Sequence, residues 1–212
     1  MTFSYQVDFR GHPACPCLAK WLPAYEHELQ RRGILKGPLH IYQLIGGARQ
    51  SGGTHADGGA FDLLDLPGDK DWWLARQMGA DATWSRPYNW DGRKGMPHMH
   101  GVLRGCPHNG PARYQIDAVE AGYNGLGHLG HGARDTGPRP LSGRTWAEGI
   151  QWAKEQENPD MALLNDLTAV AKAHKVSRVH AARVLLRAAA ASNTGTRLVF
   201  INAARTALKG LK

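Results

Sequence analysis

Asp62 stands inside the apolar run Ala60-Phe61-Asp62-Leu63-Leu64, and a carboxylate in such a place is unfavourable unless something pairs with it. Gly58 and Gly59, just before the run, permit backbone conformations closed to other residues, so the segment reads as a turn entering a strand. Alternate side chains of a strand share a face, so Ala60, Asp62 and Leu64 point one way while Phe61 and Leu63 pack into the core behind. Any fold this chain adopts must bring a partner to the Asp62 face. Two other segments offer one. His55 precedes the turn, and His98-Met99-His100 belongs to a second run, Met96 to Leu103, whose period of two puts both histidines on one face. Two imidazoles and a carboxylate drawn from separate segments suit a catalytic zinc site, which uses three protein ligands and leaves the fourth position to water.

The pattern His-x-x-Gly-x-Ala-x-Asp followed by His-x-His resembles that of the M15-type zinc D-alanyl-D-alanine peptidases, whose hedgehog/DD-peptidase fold also serves many bacteriophage endolysins. The resemblance is carried by His55, Gly58, Ala60, Asp62, His98 and His100. It implies Zn2+ held by His55, Asp62 and His100, with His98 as the second active-site histidine. Many members of that family place a glutamate three residues before the last ligand; Pro97 stands there in this chain, and His98 becomes the candidate catalytic group. Where the family often has serine two residues before the first ligand, Gly53 stands. Arg49 is the candidate for a substrate-holding arginine, closer to the first ligand than is usual in the family.

The reaction so implied is hydrolysis of bacterial peptidoglycan by metal-activated water. An endolysin cuts stem-peptide or cross-link bonds involving D-amino acids, of the D-alanyl-D-alanine or L-alanyl-D-glutamate kind. The alternatives are a D-Ala-D-Ala carboxypeptidase, or a zinc-containing wall-binding protein without turnover.

Charge divides the chain. From Met161 to Lys212 there are nine Lys and Arg against the single acid Asp166, which accounts for the whole formal charge of +8. Asn158 before Pro159 offers a helix N-cap with proline at the first helical position. We therefore expect an α+β catalytic domain with a largely antiparallel sheet over residues 1–157 and a small basic three-helix domain over 158–212. In the second, Leu163, Leu164, Leu167, Val170 and Ala171 form one apolar stripe, Ala181, Val184, Leu185 and Ala188 another, and Leu198, Val199, Ile201, Ala204 and Leu208 a third. Its charge suits anionic wall polymers. A solvated basic face is the plain alternative. Nucleic-acid binding is the weaker reading, because the helix-turn-helix rhythm of Val170 to Arg178 lacks its usual turn glycine.

In the first domain, helices are expected from near Pro23 to Gly33, over Asp71 to Met78 closed by Gly79, and over Trp146 to Trp152, with a strand over Leu39 to Ile45. Residues Cys106 to Arg144, rich in glycine and proline, are expected to wrap this domain without a repeat. Trp84, Tyr88, Asn89 and Trp90 either line a substrate cleft or belong to the core. No run of ~18 apolar residues exists to cross a membrane. The first residues lack the basic start and apolar core of a signal peptide, so the expected location is the host cytoplasm until another agent releases the protein to the wall. Cys15, Cys17 and Cys106 read as reduced thiols. A Cys-Pro-Cys metal site completed by Cys106 is a secondary reading that lacks a fourth ligand, and a second metal at His128 and His131, in a glycine-rich loop, is another.

Overall fold

A type I′ hairpin opens the described chain. Strands β1 (Val7–Phe9) and β2 (His12–Ala14) pair antiparallel through Arg10 and Gly11, whose φ values of 55° and 82° match the twist of the flanking strands. In this computed structural model the described residues are 4–46, 53–66, 70–86, 97–125, 132, 134, 141–157, 180 and 184. The chain divides into two units, Met1–Ala153 and Lys154–Lys212. In the second, only His180 and Val184 are described beyond Glu157, both helical, and Val184, assigned above to an apolar stripe, is 47% exposed. The other residues of that region's expected stripes lie outside the described residues.

Helix α1 (Pro16–Arg31) begins directly after the hairpin, seven residues earlier than expected from Pro23. Pro16 explains the start: in the first helical turn its missing N–H would have had no intrahelical partner anyway. Pro23 is carried inside the helix, and the chain leaves it through Gly33 at φ 69°. Strands β3 (Ile41–Gln43), β4 (Ala60–Leu63), β5 (Ala82–Arg86) and β6 (His98–Val102) form a four-stranded sheet in the order β3-β4-β6-β5, every pairing antiparallel. With α2 (Lys70–Gln77), α3 (Arg113–Glu120) and α4 (Trp146–Glu157) the first unit is α+β. The strand expected over Leu39 to Ile45 is shorter, because the Leu44 carbonyl turns from the ladder to a side chain of the site. Helix α3 was not anticipated within the glycine- and proline-rich stretch.

The sheet has two unlike faces. Phe61, Leu63 and Met99 are buried in the larger core with Trp21 and Tyr25 of α1 and Leu74 of α2. Trp21 stacks on Tyr25 at 4.6 Å and on Phe61 at 5.1 Å between ring centroids. Gly101 lies directly across from Phe61, and a Cβ there would sit 2.2 Å from the ring, so the ring fills the space of the missing side chain. The opposite face carries Ala60, Ala82 and Val102, packed under Ile116 and Val119 of α3. Asp62 and His100 belong to this second face, beneath α3. Among the described residues, no helix is long and apolar enough to cross a membrane.

Candidate metal centre

Antiparallel register does the first part of the assembly. Asp62 on β4 and His100 on β6 are direct cross-strand partners, and Trp84 on β5 follows in the same row. His55 enters from the loop before β4, held by its backbone carbonyl accepting from Gly46 N–H at 2.8 Å. Asp62 Oδ1 lies 2.8 Å from His100 Nδ1 and 3.2 Å from His55 Nε2. The two nitrogens are 3.3 Å apart. Tetrahedral ligands bonded to zinc at about 2.0–2.1 Å stand about 3.3 Å from one another, so this triangle is close to one face of such a tetrahedron. His55 and His100 are 1% and 3% exposed.

The outward ring nitrogens decide which atoms face inward. His55 Nδ1 donates to the Leu44 carbonyl at 2.8 Å. His100 Nε2 donates to Gln115 Oε1 at 2.9 Å, and the Gln115 amide nitrogen donates in turn to the Gly125 carbonyl at 3.2 Å, which orients that amide. Each imidazole therefore presents a lone pair to Asp62. Burial first, and then the Arg86 guanidinium, push His100 down to about 4, so its ring is neutral at neutral pH. Two imidazole nitrogens and a carboxylate oxygen converge on one centre, with the outer nitrogen of each ring turned away to a carbonyl oxygen. That arrangement could hold a metal ion.

His98 occupies the same face two residues along, with Nε2 3.8 Å from Asp62 Oδ1 and the side chain 18% exposed. It stands at the rim rather than in the triangle. Trp84 joins the smaller cluster and also runs nearly parallel to the His100 ring, with centroids 6.1 Å apart, so it serves core and site together. Arg49, Tyr88, Asn89, Trp90, His128 and His131 lie outside the described residues.

Two participants escaped the reading of the sequence. Arg86, 7% exposed and the cross-strand partner of His98, was within reach of it, because strand alternation from Ala82 through Trp84 leads to it. Gln115 had no such signal: its role depends on α3 crossing the sheet. Replacing Gln115 by leucine is expected to weaken the affinity of this site for an added metal ion about 10- to 100-fold, the usual effect of removing a partner that orients a ligand. Competition with a chromophoric chelator measures this, and an unchanged affinity would remove Gln115 from the site.

A second group, Cys15, Cys17, Cys106 and His108, also brings its ligand atoms within 4.8 Å of one another. No protein-family model, no curated protein and no solved structure matches this chain.

Proposed function

We propose that this chain is a zinc-dependent peptidoglycan peptidase with a hedgehog/DD-peptidase-like catalytic domain, acting as a phage endolysin on stem-peptide or cross-link bonds that involve D-amino acids. The observation that carries the reading is the inward convergence of His55 Nε2, Asp62 Oδ1 and His100 Nδ1, with the outer nitrogens of both rings already occupied. Three ligands of this chemistry suit zinc and leave a coordination position for a water or substrate. When bound, zinc lowers the pKa of a water and polarises the carbonyl to be attacked.

The protein's own groups supply the rest. His98, at the rim and partly exposed, takes a proton from the nucleophile and returns it to the leaving amine, within the range of general acid–base work. Arg86 adds a positive charge beside His100 and favours an anionic group on this face, such as a stem-peptide carboxylate or the developing oxyanion. Arg49 is the further candidate for holding a substrate carboxylate. The basic residues 158–212 would lengthen the enzyme's stay near anionic wall polymers.

Mass spectrometry of purified peptidoglycan digested by the zinc-loaded protein, beside a chelated control, tests this. New amino termini that disappear with chelator are the expected result, and they identify the bond. Release of terminal D-Ala alone would make the protein a carboxypeptidase. Intact peptidoglycan with zinc bound would leave a wall-binding protein.

A further inference from the structure

Two short elements, Cys15-Pro16-Cys17 and Cys106-Pro107-His108, meet on the side of α1 where the helix begins. Cys15 Sγ is 3.7 Å from Cys106 Sγ. His108 Nδ1 is 3.7 Å from Cys106 Sγ and 3.8 Å from Cys17 Sγ. Zinc bonded to sulfur at about 2.3 Å and to nitrogen at about 2.0–2.1 Å sets sulfurs about 3.8 Å apart and sulfur and nitrogen about 3.6 Å apart. The sulfur separation is far beyond a disulfide bond of about 2.05 Å. The three cysteines are 0%, 5% and 3% exposed.

We infer that Cys15, Cys17, Cys106 and His108 form a second, structural zinc site, and that this site clamps the turn between His55 and Asp62. The donor set is complete in itself. Three sulfurs and one imidazole fill a tetrahedron with no position left for substrate, the mark of a structural rather than a catalytic ion. Thiolate-rich surroundings select zinc over hard cations such as magnesium or calcium. Binding exchanges three thiol protons for the ion and leaves one net negative charge among the ligands.

Gly58 and Gly59 connect this cluster to the first site. A Cβ on Gly58 would stand 2.7 Å from Cys15 Cβ and 2.8 Å from His108 Cβ. On Gly59, at φ 81°, it would stand 2.6 Å from Asn109 Cβ and 3.1 Å from Cys106 Sγ. Gly58 N–H also donates to the His108 carbonyl at 2.6 Å. The turn that sets His55 against Asp62 is thus pressed onto the Cys/His cluster, and an ion there fixes both ends of the contact.

Metal analysis of the full chain, purified under reducing conditions and loaded with zinc, is expected to give two ions per chain. Asp62→Asn and the double substitution Cys15→Ser, Cys106→Ser are each expected to give one. Because the serine variant can fail to fold, cobalt exchanged into the unsubstituted protein and into Asp62→Asn provides the second measurement. Strong thiolate-to-cobalt absorption in both is the expected result. Its absence from both would overturn the inference, as would free reaction of all three thiols in the zinc-loaded protein or a mass lowered by a Cys15–Cys106 disulfide. Cobalt–thiolate absorption does not depend on hydrolysis, so an inactive protein that shows it would sink the peptidase reading and leave this one standing.

Discussion

Asparagine at position 62 is expected to abolish metal binding at the His55 site and, on the proposed function, to reduce peptidoglycan hydrolysis by at least ~100-fold. Loss of a partner that merely orients a ligand already reduces affinity or activity by about 10- to 100-fold, and Asp62 is itself the only anionic member of the triangle. Its carboxylate would share the proposed ion with the ring nitrogens of His55 and His100; the asparagine amide keeps the shape and removes the charge. His98→Ala is expected to behave differently. With Nε2 3.8 Å from Asp62 and outside the triangle, His98 can be lost with zinc retained while turnover falls about 100-fold or more, in the range of general acid–base catalysis. Zinc content and product formation measured on the same preparations separate the two roles. Loss of zinc from His98→Ala would make it a ligand, and full activity in Asp62→Asn would end the metal-centred reading.

Alanine at Gly149 is expected to destabilise the first unit by more than ~2 kcal/mol, the scale of forced overpacking against atoms that cannot yield. A Cβ there would lie 1.7 Å from the Met78 carbonyl oxygen and 2.1 Å from its carbonyl carbon. Both are backbone, and the same oxygen accepts the Trp21 indole N–H at 2.7 Å. Gly79, next in the chain at φ 90°, is pressed equally hard, with a Cβ placed 2.3 Å from the Thr145 carbonyl oxygen. The Met78 carbonyl cannot withdraw from α4 without straining its bond to Trp21, which is itself stacked on Tyr25 and Phe61. Chemical denaturation of Gly149→Ala beside the unsubstituted chain checks this. A midpoint unchanged within error would show that the helix shifts freely.

The strands that carry the site were readable because two constraints coincided. A charged residue in an apolar run needs a partner, and strand alternation says which side that partner must occupy; β4, β6 and the positions of Asp62, His98 and His100 follow from those two facts alone. The helix expected over Asp71 to Met78 appears as Lys70–Gln77, with Gly79 beyond it at positive φ. Helix α3 gave no comparable signal. It is eight residues long, its N-cap Ala112 makes no side-chain bond, and glycine and proline surround it. Gln115 was hidden with it. The start of α1 was placed too late because Pro23 looked like a first-turn proline, whereas Pro16 holds that place. His108 carries no signal of its own in the sequence, although Cys106-Pro107-His108 repeats the form of Cys15-Pro16-Cys17. That likeness becomes informative only when the fold joins segments 91 residues apart. Arg49 and most of residues 158–212 lie outside the described residues.

Pairing of Asp62 with His100 also makes the sheet its own proofreader. The two residues are separated by 38 positions, so no local segment can assemble the triangle before β6 has docked on β4. A slip of one residue would set Met99 opposite Asp62 and turn His100 towards the apolar core, since every side chain of a slipped strand changes face. An ion that binds only the correct alignment stabilises that alignment and none of its competitors. The metal would then act as a judge of β-strand register during folding as well as a participant in chemistry afterwards.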